Sequence, residues 1–270
     1  KMNETLEAMA RAIFKSWFVD FEPVKAKAEG QKPFGMDADT AALFPDEFVD
    51  SELGPIPKGW EVAPLSEAAE VVDCLHDKKP EPCDSGPLLL QVYNVGDSGR
   101  LDFSDPFHIS PEDYAEWTRR MEVSGGDLVV TKTGRVGAVG QMPLGRKAAM
   151  GRNMVGVRTK RGLSTSRFLK DCLLSDRMRR EMTQSTNDGT ILKSLHVQAI
   201  EKLRVALPGT TLLTRHAERV GPLHRRMEVN DAESANLAAI RDALLPKLMS
   251  GEVRVGQAVY LRLPIERSRS

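Results

Sequence analysis

Asp127-Leu-Val-Val-Thr-Lys-Thr-Gly-Arg135 joins a short apolar run directly to a polar, basic turn. Leucine, valine and threonine in succession are typical of a buried strand, and Gly134 permits the tight turn that follows. The stretch therefore predicts a strand over 127–131. Immediately after the strand it predicts an exposed loop that carries Lys132, Thr133 and Arg135.

Similar apolar runs over 88–93 and 154–157 also predict strands, and frequent glycines supply the turns between them. Helical patterns interrupt these strands over 111–120, 166–182 and 196–203. The sequence thus predicts an α+β fold, with one globular domain of irregular β-strands and short helices.

An amphipathic helix is predicted on each side of this domain. Apolar side chains recur every three or four residues from Leu6 to Phe18, and Asn3 can cap that first helix. Leu6 and the residues after it also match the pattern that begins at Leu237, so the two flanking helices resemble each other.

The second helix has an apolar stripe at near-heptad spacing over 212–248. Pro222 is expected to kink or restart it, and Gly251 to end it. Prolines and glycines predict an irregular connector after the first helix. The predicted division is a helix over 1–21, a connector over 22–58, a globular domain over 59–208, a distal helix over 209–252 and a tail over 253–270.

The composition excludes several classes of protein. No uncharged apolar run approaches the roughly 20 residues that span a bilayer. The first residues lack a secretion-signal pattern, and three cysteines suit a reducing compartment, so we expect a cytoplasmic protein. The net charge is zero, but 37–84 holds 13 Asp/Glu against three Lys, whereas 119–161 holds ten Lys/Arg against two acids. This sorting is typical either of an oriented field that attracts DNA or of a solvated surface.

Four segments resemble the specificity subunits of Type I restriction-modification systems. They are Arg11-Ala-Ile-Phe-Lys-Ser-Trp-Phe-Val-Asp-Phe-Glu-Pro-Val24, Leu53-Gly-Pro-Ile-Pro-Lys-Gly-Trp-Glu-Val62, Gly189-Thr-Ile-Leu-Lys-Ser-Leu195 and Ile240-Arg-Asp-Ala-Leu-Leu-Pro-Lys-Leu-Met-Ser-Gly-Glu252. In that family they mark the end of the central conserved helix, the entry and the end of a target-recognition domain, and the close of the distal helix. The chain resembles the C-terminal half of such a subunit.

The resemblance implies a non-catalytic protein that reads one half of a split DNA site. Its long flanking helices are expected to form an antiparallel coiled-coil-like spacer. The expected partners are double-stranded DNA, methyltransferase subunits, an endonuclease/translocase subunit and, for a half-length chain, a second copy. The chain itself is expected to hold no cofactor, whereas S-adenosylmethionine, ATP and magnesium belong on the partner subunits.

The candidate DNA-binding residues are basic or can hydrogen-bond to bases, because cations neutralise phosphates and amide or guanidinium groups read base edges. They are Lys132, Thr133, Arg135, Arg146, Lys147, Arg152, Asn153, Thr186, Asn187, Lys193 and Ser194. Alternatives remain for several of them. The 131–135 loop is also consistent with an ordinary hairpin, Asn153 with a turn cap, and Ser194 with a cap on the 196–203 helix. Arg177, Arg179 and Arg180 fit a solvated helix face better than phosphate contacts.

A second set of candidates lies on the flanking helices. These apolar residues fit either a partner-docking surface or the packed face of the helix pair, and packing is the simpler interpretation for the aromatic ones. They are Phe14, Trp17, Phe18, Leu237, Ile240, Leu244 and Leu248.

Motifs for catalysis are absent or weak. The sequence has neither a methyltransferase Asn/Asp-Pro-Pro-aromatic tetrapeptide nor a Walker-type nucleotide loop. Asp73 and Asp77-Lys78-Lys79 only faintly mimic a nuclease motif. Cys74, His76 and Cys83 lack the paired spacing of a zinc site. The alternative to DNA reading is a helical interaction scaffold without sequence recognition.

Overall fold

The computed structural model describes residues 2–160, 162–186 and 194–253. Its helices are α1 (Met2–Phe18), α2 (Glu22–Ala28), α3 (Ala38–Ala42), α4 (Leu65–Ala68), α5 (Pro111–Trp117), α6 (Leu163–Leu174), α7 (Asp176–Gln184), α8 (Val197–Glu201) and α9 (Thr210–Met249). Its strands are β1 (Phe48–Val49), β2 (Ile56–Pro57), β3 (Glu61–Pro64), β4 (Ala69–Asp73), β5 (Leu89–Leu90), β6 (Val123–Ser124), β7 (Leu128–Thr131), β8 (Val139–Gln141), β9 (Lys147–Met150), β10 (Met154–Thr159) and β11 (Arg204–Leu207). This mixture confirms the α+β class.

The chain forms two compact units. The larger comprises Glu7–Gly221, and the smaller comprises the residues up to Leu6 together with those from Pro222 onward. Among the described residues, no helix combines the length and the apolar character needed to cross a membrane.

A four-stranded antiparallel sheet organises the larger unit, with the strand order β4-β10-β7-β8. Both of its faces are covered. Leu128 and Val130 pack in one apolar cluster with Phe168, whereas Val129 points the other way and packs in a second cluster with Val123. Burial on both faces explains why β7 is an uninterrupted apolar run, since each such side chain stabilises the fold by about 1.5–3 kcal/mol.

Two of the three strand predictions are confirmed and one is largely wrong. The 127–131 and 154–157 segments form β7 and the first part of β10. Of 88–93, only β5 is a strand, and the chain then turns through the 3-10 helix Val92–Asn94. The Asn94 side-chain oxygen accepts the Gln91 N–H at 2.7 Å and stabilises that turn.

The predicted helices exist but differ in extent. The 166–182 segment is not one helix, because Ser175 ends α6 and its hydroxyl caps α7 by accepting the Met178 N–H. Over 111–120 and 196–203 the helices are shorter than predicted, forming α5 and α8. Hydroxyl capping therefore divides a continuous apolar pattern.

The connector is more regular than its prolines and glycines predict. Pro23 lies in the first turn of α2, where its missing N–H costs nothing, and Asp37 caps α3 by accepting the Thr40 N–H at 2.8 Å. Strands β1 and β2 then pair as a short antiparallel ribbon. The prediction that 22–58 is irregular is therefore wrong.

The ends of the flanking helices also correct the sequence analysis. Asn3 lies inside α1 and is not its cap. Its side chain bonds with Asp231 at 2.8 Å and with Asn230 at 2.7 Å, within the smaller unit. Helix α9 continues through Pro222 instead of restarting there. It ends as predicted before Gly251, whose φ of +75° suits glycine and whose N–H bonds to Leu248.

Candidate nucleic-acid interface

Three separate chain segments meet at one end of the central sheet. Strand β4 ends there at Asp73, β7 ends at Thr131, and β10 begins at Met154, which is paired with Thr131. The Lys132 N–H donates to the Asn153 carbonyl at 2.8 Å, which fixes the two loops side by side. This group of loops is called the β7-end surface below.

The loop after β7 is a hairpin, which is one of the two interpretations of the 131–135 sequence. The Thr131 hydroxyl accepts the Ala138 N–H at 3.0 Å, and the Thr131 carbonyl accepts the Gly137 N–H at 2.8 Å. Gly134 lies at the exposed tip with a φ of +78°, a backbone conformation that favours glycine. The hairpin thus carries the half-buried Thr133 and the exposed Arg135.

A fourth segment joins the same surface. The hydroxyls of Thr133 and Ser194 lie 3.0 Å apart, and the Leu195 N–H donates to the Lys132 carbonyl at 2.8 Å. Thr186 forms a bridge with Leu195. Ser194 therefore does not cap the following helix, whose N-cap is His196. The candidates Asn187 and Lys193 lie outside the described residues, as does most of the 189–195 motif.

Lys132 is bonded inside the protein. Its ammonium lies 2.5 Å from Asp73, and only 10% of its side chain is exposed. His76 lies 2.8 Å from the other oxygen of Asp73. Burial raises the pKa of Asp73, but the hydrogen bonds from Lys132 and His76 outweigh burial, so the pKa lies below its usual value. In this structure Lys132 links β4 to β7 and does not present its charge to solvent.

Asp73, Cys74 and His76 bring three potential metal ligands within 4.8 Å of one another. The chemistry of the donors does not fit a metal ion. Lys132 already places a cation against Asp73 and lies 3.5 Å from the His76 ring nitrogen, where a metal would need its ligands. Burial also raises the pKa of the Cys74 thiol, which disfavours the thiolate that zinc requires.

Arg152 and Asn153 form an exposed corner of the β7-end surface. They occupy the turn that leads into β10, and Asn153 adopts a φ of +66°. Asparagine tolerates this left-handed conformation better than most residues, so the turn partly explains its identity. Both residues of this turn are exposed to solvent.

Comparison with known proteins gives consistent similarities. No family model matches the chain. The specificity subunit of the Type I restriction enzyme MjaIX from Methanocaldococcus jannaschii is 30% identical over 263 residues, which cover 94% of this chain and 54% of that protein. The HindI specificity subunit from Haemophilus influenzae is 23% identical over 304 residues, covering 94% of this chain and 63% of that protein. The chain is thus similar to Type I specificity subunits.

The chain also has the fold of a solved S subunit. The Type I S subunit from Mycoplasma genitalium aligns with a TM-score of 0.54 at 14% identity, over 91% of this chain and 54% of that one. A likeness at this identity establishes the fold alone. The chain spans roughly half to two thirds of the length of the curated relatives that it matches.

Two sequence candidates lie away from the β7-end surface. Lys147 begins β9, which pairs beside β6, and its ammonium lies 3.1 Å from Glu122. The Arg146 guanidinium lies over the Phe103 ring at 4.5 Å. Strand β9 runs from Lys147 toward the turn at Arg152, so its length separates two groups that are near neighbours in sequence.

Much of the positive charge in 119–161 is engaged within the fold. Besides Lys132, Arg158 pairs with Asp127 at 2.6 Å, and Arg120 donates to the Cys74 carbonyl at 2.9 Å. Charge counting along the sequence therefore overestimates the field that this segment offers to DNA. Arg152 remains as an exposed guanidinium on the β7-end surface.

The candidates on the flanking helices differ in their surroundings. Phe14, Trp17 and Phe18 are buried in the core of the larger unit, where their rings lie 4.9–6.2 Å from the ring of His216. In the smaller unit, the four candidate residues on α9 are exposed. They are Leu237, Ile240, Leu244 and Leu248, with exposed fractions of 66%, 54%, 43% and 38%.

Proposed function

We propose that this chain reads one half of a bipartite DNA target for a Type I restriction-modification complex and performs no catalysis itself. The observation that carries the proposal is the β7-end surface, where four chain segments bring basic, amide and hydroxyl side chains together. The similarity to proteins that are specificity subunits supports it. Methyltransferase and endonuclease/translocase subunits would bind S-adenosylmethionine, ATP and magnesium and carry out the chemistry.

The exposed groups on this surface suit the two tasks of a DNA reader. Arg152 can neutralise a phosphate, which contributes affinity without sequence preference. The amide of the next residue, Asn153, has the donor and acceptor that match the major-groove edge of adenine. The hydroxyls of Thr133 and Ser194 can hydrogen-bond to a phosphate or to a base edge. Methylation requires the target adenine to leave the duplex, and it would enter the partner's pocket and not this chain.

The test compares two arginines that carry the same charge. Arg152→Ala should weaken binding to duplex DNA and reduce the slope of log K against log salt by about 1, because one phosphate contact is lost. Arg146→Ala removes the same charge away from the β7-end surface and should leave both quantities close to wild type. Fluorescence anisotropy of a labelled duplex at several salt concentrations measures both. Equal effects, or no effect of either change, would contradict the proposed surface.

A second function is favoured by the exposed apolar stripe of α9, which suits a helical interaction scaffold. In the leading proposal this stripe pairs with another helix, either from a second copy of the chain or from a partner subunit. Light scattering should then report a dimer that Ile240→Glu dissociates. If Ile240→Glu abolishes partner binding while Arg152→Ala leaves DNA binding unaltered, the chain is a scaffold and not a reader.

A further inference from the structure

A short loop outside the sequence candidates holds the Arg135 side chain. The loop comprises residues 95–97 and is called the Asp97 loop below. One terminal nitrogen of Arg135 donates to the Val95 carbonyl, and the other forms an ion pair with the Asp97 carboxylate. The contact joins residues 38 positions apart in sequence. These two bonds engage two of the five N–H donors that a guanidinium possesses.

The Asp97 loop is itself fixed to the rest of the larger unit. The Gly96 N–H donates to the Arg100 carbonyl at 3.0 Å, which closes the loop. The Gln141 N–H of β8 donates to the Gly99 carbonyl at 3.0 Å, and Arg179 of α7 donates to the Asp97 carbonyl at 3.2 Å. The loop is therefore bonded to the central sheet and to a helix, so the position of Arg135 is set by the fold.

Arg135 still faces solvent. Its side chain is 39% exposed, and that of Asp97 is 87% exposed. A guanidinium that is held on one side and open on the other has lost most of its rotamer freedom before it meets a ligand. Its remaining donors fit a planar acceptor pair, and in duplex DNA the O6 and N7 atoms of guanine provide one.

We propose that Asp97 is a positioning residue that sets the sequence specificity of Arg135 toward a guanine in the DNA half-site. This inference rests on the proposed function of the β7-end surface. Asp97 would not touch the DNA. It acts by holding Arg135 in one orientation, so that only a base edge in the matching position completes the hydrogen bonds.

The competing explanation is that Asp97 is a substitute phosphate, which masks Arg135 until DNA displaces it. The Val95 contact argues against this explanation, because a backbone carbonyl in a bonded loop cannot swing aside as a carboxylate can. A displaceable mask would hold Arg135 through side chains alone. The two explanations predict opposite changes in discrimination when Asp97 is replaced.

The experiment first selects, from a randomised duplex library, the motif that the wild-type full chain enriches. Dissociation constants for that motif and for a scrambled duplex are then measured for Asp97→Ala, Asp97→Asn and the control Asp77→Ala. Asp77 is an exposed acid in the loop after β4 and is not part of the Arg135 contact. Thermal melting checks that each variant is folded, which the exposure of Asp97 favours.

Asp97→Ala should lower the ratio of motif to scrambled affinity about tenfold, the scale of one well-placed base contact. A library selection with this variant should relax one guanine position. Asp97→Asn keeps a side-chain acceptor for Arg135 and should retain most of the ratio. Asp77→Ala should raise both affinities equally, since it only removes negative charge.

If Asp97→Ala raises both affinities in parallel, as Asp77→Ala does, or relaxes no guanine position, the positioning role is wrong while DNA reading stands. If the wild-type chain enriches no motif, the proposed function fails, and the role of Asp97 in specificity fails with it. The two failures are thus told apart by the wild-type selection alone.

Discussion

Replacing His216 with phenylalanine should reduce the stability that the larger unit loses at acidic pH. The His216 side chain is fully buried among aromatic rings, and within the described residues neither ring nitrogen has a hydrogen-bond partner. Burial, together with the nearby charges of Lys170 and Arg167, lowers its pKa from 6.5 to about 4. In the folded protein His216 therefore stays neutral at pH values where the unfolded chain binds a proton.

The sign and size of the effect follow from this difference in pKa. Above pH 6.5 both states are neutral at this position, so His216 contributes no pH dependence. As the pH falls from 6.5 toward 4, only the unfolded state gains a proton, and the folded state loses relative stability. With those two pKa values, the loss at pH 5 is about 2 kcal/mol.

Urea unfolding at pH 7.5 and pH 5.0, followed by tryptophan fluorescence, measures this loss. Wild type should lose about 2 kcal/mol more stability between the two pH values than His216→Phe does. Asp171 and the other carboxyl groups titrate in both proteins and cancel in the comparison. His216→Gln should share the weaker pH dependence while being less stable than wild type at pH 7.5, because it buries an amide with more unsatisfied hydrogen-bonding groups than a neutral imidazole has. If all three proteins lose the same stability on acidification, the assignment of a neutral, desolvated His216 is refuted.

Three further substitutions test the account of the β7-end surface. Asp73→Ala leaves the buried ammonium of Lys132 without its ion-pair partner and should lower the free energy of unfolding by about 2 kcal/mol in urea titrations. The double change of Asp73→Leu and Lys132→Met removes both charges and should recover most of this loss. Gly151→Ala should cost about 3 kcal/mol or more, because a Cβ there would lie 2.2 Å from the Leu90 carbonyl oxygen; a melting temperature close to wild type would contradict that packing. Gly134→Ala, at the hairpin tip, meets no described atom within 4 Å and should cost only about 1 kcal/mol through its positive φ, with a larger loss showing that the tip is packed.

Local signals explain which parts of the fold could be predicted. Strand β7 and its hairpin are encoded within nine residues, by an apolar run followed by glycine. The end of α9 is likewise determined by a local signal, since Gly251 supplies the left-handed conformation that ends the helix. Where a hydroxyl or amide competes with the apolar pattern, as at Ser175 and Asn94, the pattern alone predicted the wrong element. A helix cap and a short turn override periodicity because each satisfies backbone groups that the pattern does not count.

The candidate surface was predictable only in part, because its decisive contacts are not local. Lys132 was identified as a basic loop residue, but its partner Asp73 is 59 positions away and is brought close by the register of β4, β10 and β7. Asp97 gave no signal in the sequence, since only the folded loop places it against Arg135. Residue types and turns could be predicted from the sequence. The pairing between charged side chains could not, because it depends on how the strands of the sheet are aligned. The pairing of the flanking helices as an antiparallel coiled coil stays a prediction.

Selection of binding sites from a randomised duplex library, by this chain together with a cognate methyltransferase, tests sequence recognition most directly. The retained DNA is sequenced at two salt concentrations. The account predicts enrichment of a motif of about three to five base pairs that persists as salt rises, because base contacts depend less on counterion release than phosphate contacts do. Retention that falls steeply with salt and enriches no motif would contradict it and leave a scaffold that binds DNA without reading its sequence.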